Sequence, residues 1–242
     1  MMVRSLGILT IGIAVTAIYS LYAVLVAFFS PKEEKIHQIA RNWARLLLKI
    51  SGAHVHVFGR ENVLTSRPQI FMANHQSGFD IFALLAHIPG EFRWIAKGEL
   101  FRIPVFGRAM RAAGYIPIDR ENHDRAMNSL AEAVVKIHEN RSVMSFPEGT
   151  RSSDGTIGPF KSGMFLLAIR ANVPIVPVTI IGANQIWPKG SLKITPGEMT
   201  IVISEPVDVS HCTAEKHGEL IGQVRGIIVE HYEGRVKTEG IS

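Results

Sequence analysis

The sequence predicts an α/β domain, with a mixed and largely parallel sheet covered by helices, preceded by an N-terminal two-helix membrane-binding segment. Three observations carry this expectation. Leu6 to Phe29 holds no charged residue. Glu33 to Ile50 repeats apolar residues at helical spacing opposite a cationic face. From Ala53 onward, short β-rich runs alternate with helical ones, the pattern of a sheet whose strands are joined through covering helices. The expected division is a hydrophobic helix at 1–30, a cationic amphipathic interfacial helix at 31–51 and one α/β domain at 52–242.

Taken in order, the 24 residues from Leu6 to Phe29 would span roughly 36 Å as a helix, against a hydrocarbon core of about 30 Å. As the core of a cleaved signal peptide the stretch is unusually long, and no A-x-A-like site precedes Ser30. Arg4 is the basic side chain before it; Lys32, Lys35, Arg41, Arg45 and Lys49 follow. If the helix spans, this asymmetry places the rest of the chain on the cytoplasmic side. The next helix carries Ile36, Ile39, Ala40, Trp43, Leu47 and Ile50 on one face and Lys35, Gln38, Arg41, Asn42, Arg45 and Lys49 on the other. That pattern suits a membrane surface, and a helix packed on its own domain shows it too; the apolar helix upstream favours the first. Hydropathy is equally consistent with one helix crossing and with both dipping into one leaflet.

In the remainder, strands are expected at 53–58, 69–73, 92–96, 115–118, 142–146, 174–180 and 199–204, and helices at 78–87, 104–113, 123–138, 163–171 and 214–235. The 123–138 helix carries Ala126, Leu130, Val134 and Ile137 on one stripe. No repeat or Gly/Ser-rich linker divides this part, which has the length to bury one core.

The net charge of +5 and a pI near 9.5 favour anionic partners. Nucleic acid is disfavoured, because no zinc-finger, helix-turn-helix or aromatic-interleaved basic pattern occurs. A single cysteine, Cys212, leaves no intramolecular disulfide.

Two polar clusters interrupt apolar runs at the expected carboxyl ends of strands, where open α/β sheets gather their chemistry. They are Asn74-His75-Gln76-Ser77-Gly78-Phe79-Asp80 and Pro147-Glu148-Gly149-Thr150-Arg151. On one continuous helix, His75 and Asp80 would be about 140° out of phase. A strand-to-helix turn through Gly78 would return the carboxylate to the imidazole, fixing its tautomer and raising the basicity of the far nitrogen. The plainer reading of the pair is a polar turn with a helix-capping Asp. There is no G-x-S-x-G elbow to make Ser77 a nucleophile of the usual α/β type, no P-loop, no G-x-G-x-x-G and no H-E-x-x-H. His54 and His56 share one strand face and could pair on a metal; the plainer reading is an exposed face alternating with buried Val55 and Val57. A dyad without its own nucleophile points to a substrate hydroxyl, deprotonated by His75. Arg151, with the amides of its Gly-containing loop, suits an anion, and Arg120 is a second candidate ligand. For either Arg alone, a surface salt bridge is the plain reading.

These residues resemble those of the glycerolipid acyltransferase family. Asn74 to Asp80 resembles its N-H-x-S-x-x-D block, and Phe146-Pro147-Glu148-Gly149-Thr150-Arg151-Ser152 its F-P-E-G-T-R-S block. Gly114 to Arg120 resembles the intermediate block ending in Arg, and Val173 to Val178 the proline-containing fourth. Ala96-Lys97-Gly98-Glu99-Leu100 resembles a further segment usually written with two lysines; here Gly98 stands at the second.

The resemblance implies transfer of an acyl group from acyl-CoA or acyl carrier protein to the free hydroxyl of lysophosphatidic acid (1-acylglycerol-3-phosphate), giving phosphatidic acid. It implies His75 as general base and Asp80 as its orienting partner. Glu148, Gly149, Thr150 and Arg151 would bind the acceptor's glycerol phosphate with help from Arg120. Lys97 would assist at the thioester oxyanion or donor phosphates, and Val173 to Val178 would line the acyl region. No metal or prosthetic group is implied. The N-terminal helices resemble the bacterial type, which implies an inner (plasma) membrane location among membrane lipids, with the catalytic domain on the cytoplasmic side. The rival readings are an acyltransferase with another lysophospholipid or aminolipid acceptor, a membrane-bound serine hydrolase using Ser77, and a catalytically silent membrane-binding module.

Overall fold

A computed structural model describes residues 2–119 and 123–239; of residues 123–127 and 235–239 it describes the backbone alone. The helices are α1 (Met2–Phe29), α2 (Glu33–Ser51), α3 (Phe79–His87), α4 (Phe106–Ala112), α5 (His123–His138), α6 (Gly163–Ala171), α7 (Ala183–Ile186) and α8 (His217–Glu239). The strands are β1 (Ala53–Phe58), β2 (Ile70–Ala73), β3 (Phe92–Lys97), β4 (Ile116–Ile118), β5 (Ser142–Ser145), β6 (Ile175–Ile181) and β7 (Gly197–Ile203). Every expected strand is present, each end within two residues of its expected place. The short α7 was not expected, and α8 begins three residues later and ends four residues later than its pattern indicated.

The seven strands form one sheet in the order β1-β7-β6-β2-β5-β3-β4, in which β6 and β7 are antiparallel and every other pair is parallel. This is the mixed, largely parallel sheet the alternation predicts. β2 lies at its centre and is buried at every residue, because helices cover both faces. Phe71 and Ala73 point into one core with Trp94, Phe146 and the residues of α1 to α4. Ile70 and Met72 point into a second core with α5, α6 and α8. Of the stripe expected on α5, Leu130 and Ile137 are buried and Val134 packs against them, while the side chain of Ala126 lies outside the described ones.

The two N-terminal helices depart from expectation in an informative way. The apolar face of α2, expected to meet a membrane, instead packs on the domain: Ile36 and Ile39 belong to the same core as the sheet, and Ala40 and Trp43 pack against it. Charge pairs lock its first turn in place. The fully buried Arg93 of β3 donates to Glu33 at 3.1 Å, Lys136 of α5 reaches Glu33 at 2.6 Å, and Arg141 pairs with Glu34. Acidic residues there also face the positive end of the helix dipole.

α1 is built the other way round. Several small and hydroxyl residues face the protein: Ser5 exchanges two hydrogen bonds with Ile194, Trp43 of α2 donates its indole N–H to Thr16 at 3.0 Å, and Ala23 is buried. Such residues let helix backbones approach closely. Ile8, Leu9, Tyr19 and Val26 pack on the core as well, while other large apolar side chains face outward, with Ile13 72% and Phe28 83% exposed. At 28 residues the helix is long and apolar enough to cross a membrane, yet it is docked on the domain from Ser5 to Ala23.

Candidate active site

β2 and β5 are neighbouring parallel strands, with Met72 paired to Ser145. Their carboxyl ends therefore lie side by side, and the polar clusters that follow them meet. The first cluster turns sharply before α3. Asn74 is fully buried and behaves as an extra ladder rung, donating to the Ile180 carbonyl at 2.8 Å and accepting from the Ile180 N–H at 2.7 Å.

The turn brings His75 and Asp80 together, with Nδ1 of His75 2.8 Å from Oδ2 of Asp80. The same carboxylate oxygen accepts from the backbone N–H groups of Gln76 and Ser77, at 2.7 and 2.8 Å. Asp80 is thus both the turn's anchor and the imidazole's partner, so the capping reading and the dyad reading describe one residue. With Nδ1 committed to a carboxylate, the neutral imidazole carries its hydrogen there and presents Nε2 as a base. The His75 side chain is 14% exposed and Asp80 is fully buried, which keeps the pair oriented while leaving the ring an opening to solvent.

Ser77 is held differently. Its hydroxyl donates to the Trp187 carbonyl at 2.8 Å and accepts from the Phe79 N–H at 3.2 Å. The Trp187 ring covers Gly78 so closely that a Cβ there would lie 2.8 Å from it, so this turn needs glycine.

The second cluster grips the first. The Phe146 ring stacks on the His75 imidazole, the Ser152 N–H donates to the His75 carbonyl at 2.8 Å, and Glu148 Oε1 accepts from the His75 N–H at 2.7 Å. Glu148 Oε2 accepts from the Gly158 N–H at 3.0 Å. Burial pushes the Glu148 carboxyl above the usual range, against the two amide bonds, which pull it down. Gly149 has φ of 78°, a left-handed turn suited to glycine, and Lys161 lies over it. Thr150 is exposed and Arg151 half-buried; the Arg151 carbonyl accepts from Lys189 Nζ at 2.6 Å. Lys97 stands at the carboxyl end of β3, the next strand, exposed and paired with Glu99 at 3.0 Å. Arg120 lies outside the described residues. His56 pairs with Glu198 at 2.7 Å on the exposed side of β1, and His54 is exposed beside it.

Several supporting residues escaped sequence reasoning. Tyr232 of α8 donates to Gln76 Oε1 at 3.2 Å, and Gln76 Nε2 donates to the Gly155 carbonyl at 2.9 Å. Arg225 of α8 donates to the carbonyls of Gly158 and Ile157 at 3.2 and 2.7 Å. Gln76 left one usable signal, a polar residue between strand and helix that turns out to be buried. Tyr232 and Arg225 left none, since they sit in an ordinary helical pattern far along the chain.

Comparison with known proteins identifies the family. A family model described as Acyltransferase matches residues 54–181, which hold both clusters. The chloroplastic 1-acyl-sn-glycerol-3-phosphate acyltransferase BAT2 of Brassica napus is 36% identical over 185 residues, 75% of this chain and 53% of that protein. The 1-acyl-sn-glycerol-3-phosphate acyltransferase of Limnanthes alba is 33% identical over 196 residues, 81% of this chain and 69% of that protein. The chain thus spans between about half and two thirds of the length of these relatives. The crystal structure of the 1-acyl-sn-glycerophosphate acyltransferase PlsC from Thermotoga maritima matches with a TM-score of 0.81 at 29% identity, covering 96% of this chain and 94% of that one. With both polar clusters inside the matched region and the fold shared over nearly its whole length, the chain belongs to the acyltransferase family.

Proposed function

We propose that this chain transfers an acyl group from a thioester, acyl-CoA or acyl carrier protein, to the free hydroxyl of 1-acylglycerol-3-phosphate, forming phosphatidic acid. The observation that carries the reading is the His75–Asp80 pair at 2.8 Å, with Nδ1 bound and the ring open to solvent. His75 Nε2 takes the proton of the acceptor hydroxyl as the oxygen attacks the thioester carbonyl. The tetrahedral adduct collapses with cleavage of the C–S bond, the leaving thiolate takes the proton back from His75, and no acyl-enzyme is needed, because a thioester is already activated. Arg151 and the loop amides of 149–151 bind the acceptor phosphate, Arg120 assists, and Lys97 lies toward the donor. The relatives' names support the acceptor, since each acts on a 1-acyl-glycerol phosphate.

The outward apolar face of α1 supports attachment to a bilayer. Because the helix is docked along the domain from Ser5 to Ala23, we infer that it lies half-immersed in one leaflet. A full crossing would draw the domain into the hydrocarbon. Immersion at a cytoplasmic membrane face would give the site access to its lipid substrates.

The test is a transfer assay with radiolabelled donor, lysophosphatidic acid and, in parallel, other lysophospholipids. Intersecting initial-rate plots are expected for direct transfer, whereas a covalent route gives parallel lines. An acyl adduct on Ser77, formed with donor alone at the turnover rate, would replace this reading by the hydrolase one. The hydrogen bond from Ser77 to the Trp187 carbonyl argues against that outcome.

A further inference from the structure

Resting on the acyltransfer reading, we propose that Glu148 is a positioning residue for His75, acting through the main chain, and that acceptor binding falls to its neighbours in the loop. Three features place it in that role. Glu148 is 7% exposed, so little of it reaches the solvent from which an acceptor arrives. Both carboxylate oxygens are engaged by backbone amides, one on His75 and one on Gly158. Those amides belong to different segments, so the side chain is a strut between the catalytic turn and the loop at 157–158.

That loop is itself fixed from behind. Arg225 of α8 holds the carbonyls of Ile157 and Gly158, which sets the Gly158 amide against Glu148. At the other end, His75 is restrained on every side but one. Phe146 fixes its ring plane, Asp80 its Nδ1, Ser152 its carbonyl and Glu148 its amide. Nε2 is the atom left to the substrate. Charge-assisted bonds to backbone N–H groups are short and directional. A misplacement of a base by a fraction of an ångström is felt in turnover more than in binding.

The experiment uses full-length protein in detergent, with Glu148→Gln and Glu148→Asp compared with the parent. Lysophosphatidic acid and a phosphate-free monoacylglycerol serve as acceptors. The carboxamide cannot accept from both amides, and the aspartate is one methylene too short to span them. Each variant is expected to lose ~10- to 150-fold in kcat, the range of one lost charge-assisted bond, with the same factor for both acceptors and KM for lysophosphatidic acid within ~2-fold. A raised KM confined to the phosphate-bearing acceptor, with kcat retained, overturns the proposal. So does unchanged turnover per folded molecule.

A readout independent of activity is the His75 amide proton in protein labelled with [15N]histidine. The short bond to a carboxylate holds it downfield, and Glu148→Gln is expected to move it upfield. An unmoved signal overturns the strut. Should Glu148→Gln fail to fold, Glu148→Asp is read in the same way. Failure of the parent to acylate either acceptor defeats the acyltransfer reading and leaves this amide readout standing.

Discussion

The His75 imidazole lies flat on the Phe146 ring, their centroids 3.8 Å apart and their planes 7° from parallel. One residue comes from the loop after β2 and the other from the end of β5. The contact therefore joins the two polar clusters at the imidazole proposed as the base. Trp94 packs against Phe146 in turn, at 5.3 Å between centroids. The His75 imidazole is thus held by ring stacking as well as by its carboxylate partner.

His75→Ala is expected to lower turnover by ~10²–10⁴, the usual contribution of a general base. Asp80→Asn is expected to do less damage. The amide oxygen can still accept from the turn's N–H groups and from Nδ1, which share one carboxylate oxygen, but the negative charge that stabilises a protonated ring is lost. Steady-state acylation rates at saturating lysophosphatidic acid measure both. Near-parental turnover by His75→Ala would remove this residue from the mechanism.

Arg151→Ala is expected to raise KM for lysophosphatidic acid by roughly 10- to 150-fold, corresponding to about 1.5–3 kcal/mol for a hydrogen bond to a charged group. The KM for the acyl donor should change far less. An equal loss with phosphate-free monoacylglycerol would mark Arg151 as a structural residue of its loop.

Membrane attachment is expected to reside in the outward face of α1. Replacing exposed Ile13 and Ile18 together by Glu leaves the inward contacts of Ser5, Thr16 and Ala23 intact. Each charge opposes insertion by a few kcal/mol. The parent protein is expected to float with vesicles and to need detergent for extraction, while the double variant stays at the bottom of the gradient. A parent protein recovered in the soluble fraction after lysis would refute the attachment.

Stability is expected to fall on mild acidification through His37. This residue is 1% exposed, its Nδ1 is 3.1 Å from the Tyr115 hydroxyl and its Nε2 has no protein partner. Burial, reinforced by Arg93 and Arg41, lowers its pKa to about 3. The unfolded chain takes up the proton near pH 6.5 and the folded chain near 3, so the unfolded state binds more protons throughout that window. Stability contributed by the neutral ring is present above pH 6.5 and is lost as pH falls, by at most about 1.4 kcal/mol per unit. Denaturation midpoints at pH 7 and 5.5 measure this. His37→Gln, which cannot titrate, is expected to show a smaller drop, and an equal drop would assign the effect to other groups.

The sequence by itself determined the strands, the main helices and the candidate pair His75 and Asp80, which the structure brings into hydrogen-bond contact. Those depend on local pattern: apolar runs at period two or near 3.6, and short motifs whose spacing fits a strand-to-helix turn. It also marked α1 as apolar enough for a bilayer and Glu148 and Arg151 as members of one cluster. Sheet order was decided by the tertiary structure, because which strands pair depends on how helices pack over both faces. That order sets β5 beside β2 and so brings Phe146 onto His75. The surroundings of α2 were decided there too. An amphipathic pattern specifies an apolar face without naming what covers it, and the domain core covers this one. The same holds for Arg225 and Tyr232, whose bonds to the site cross 67 and 156 residues of chain. Contacts of that range leave no periodicity behind, since the residues at either end need only complementary hydrogen-bonding groups and a fold that brings them within reach.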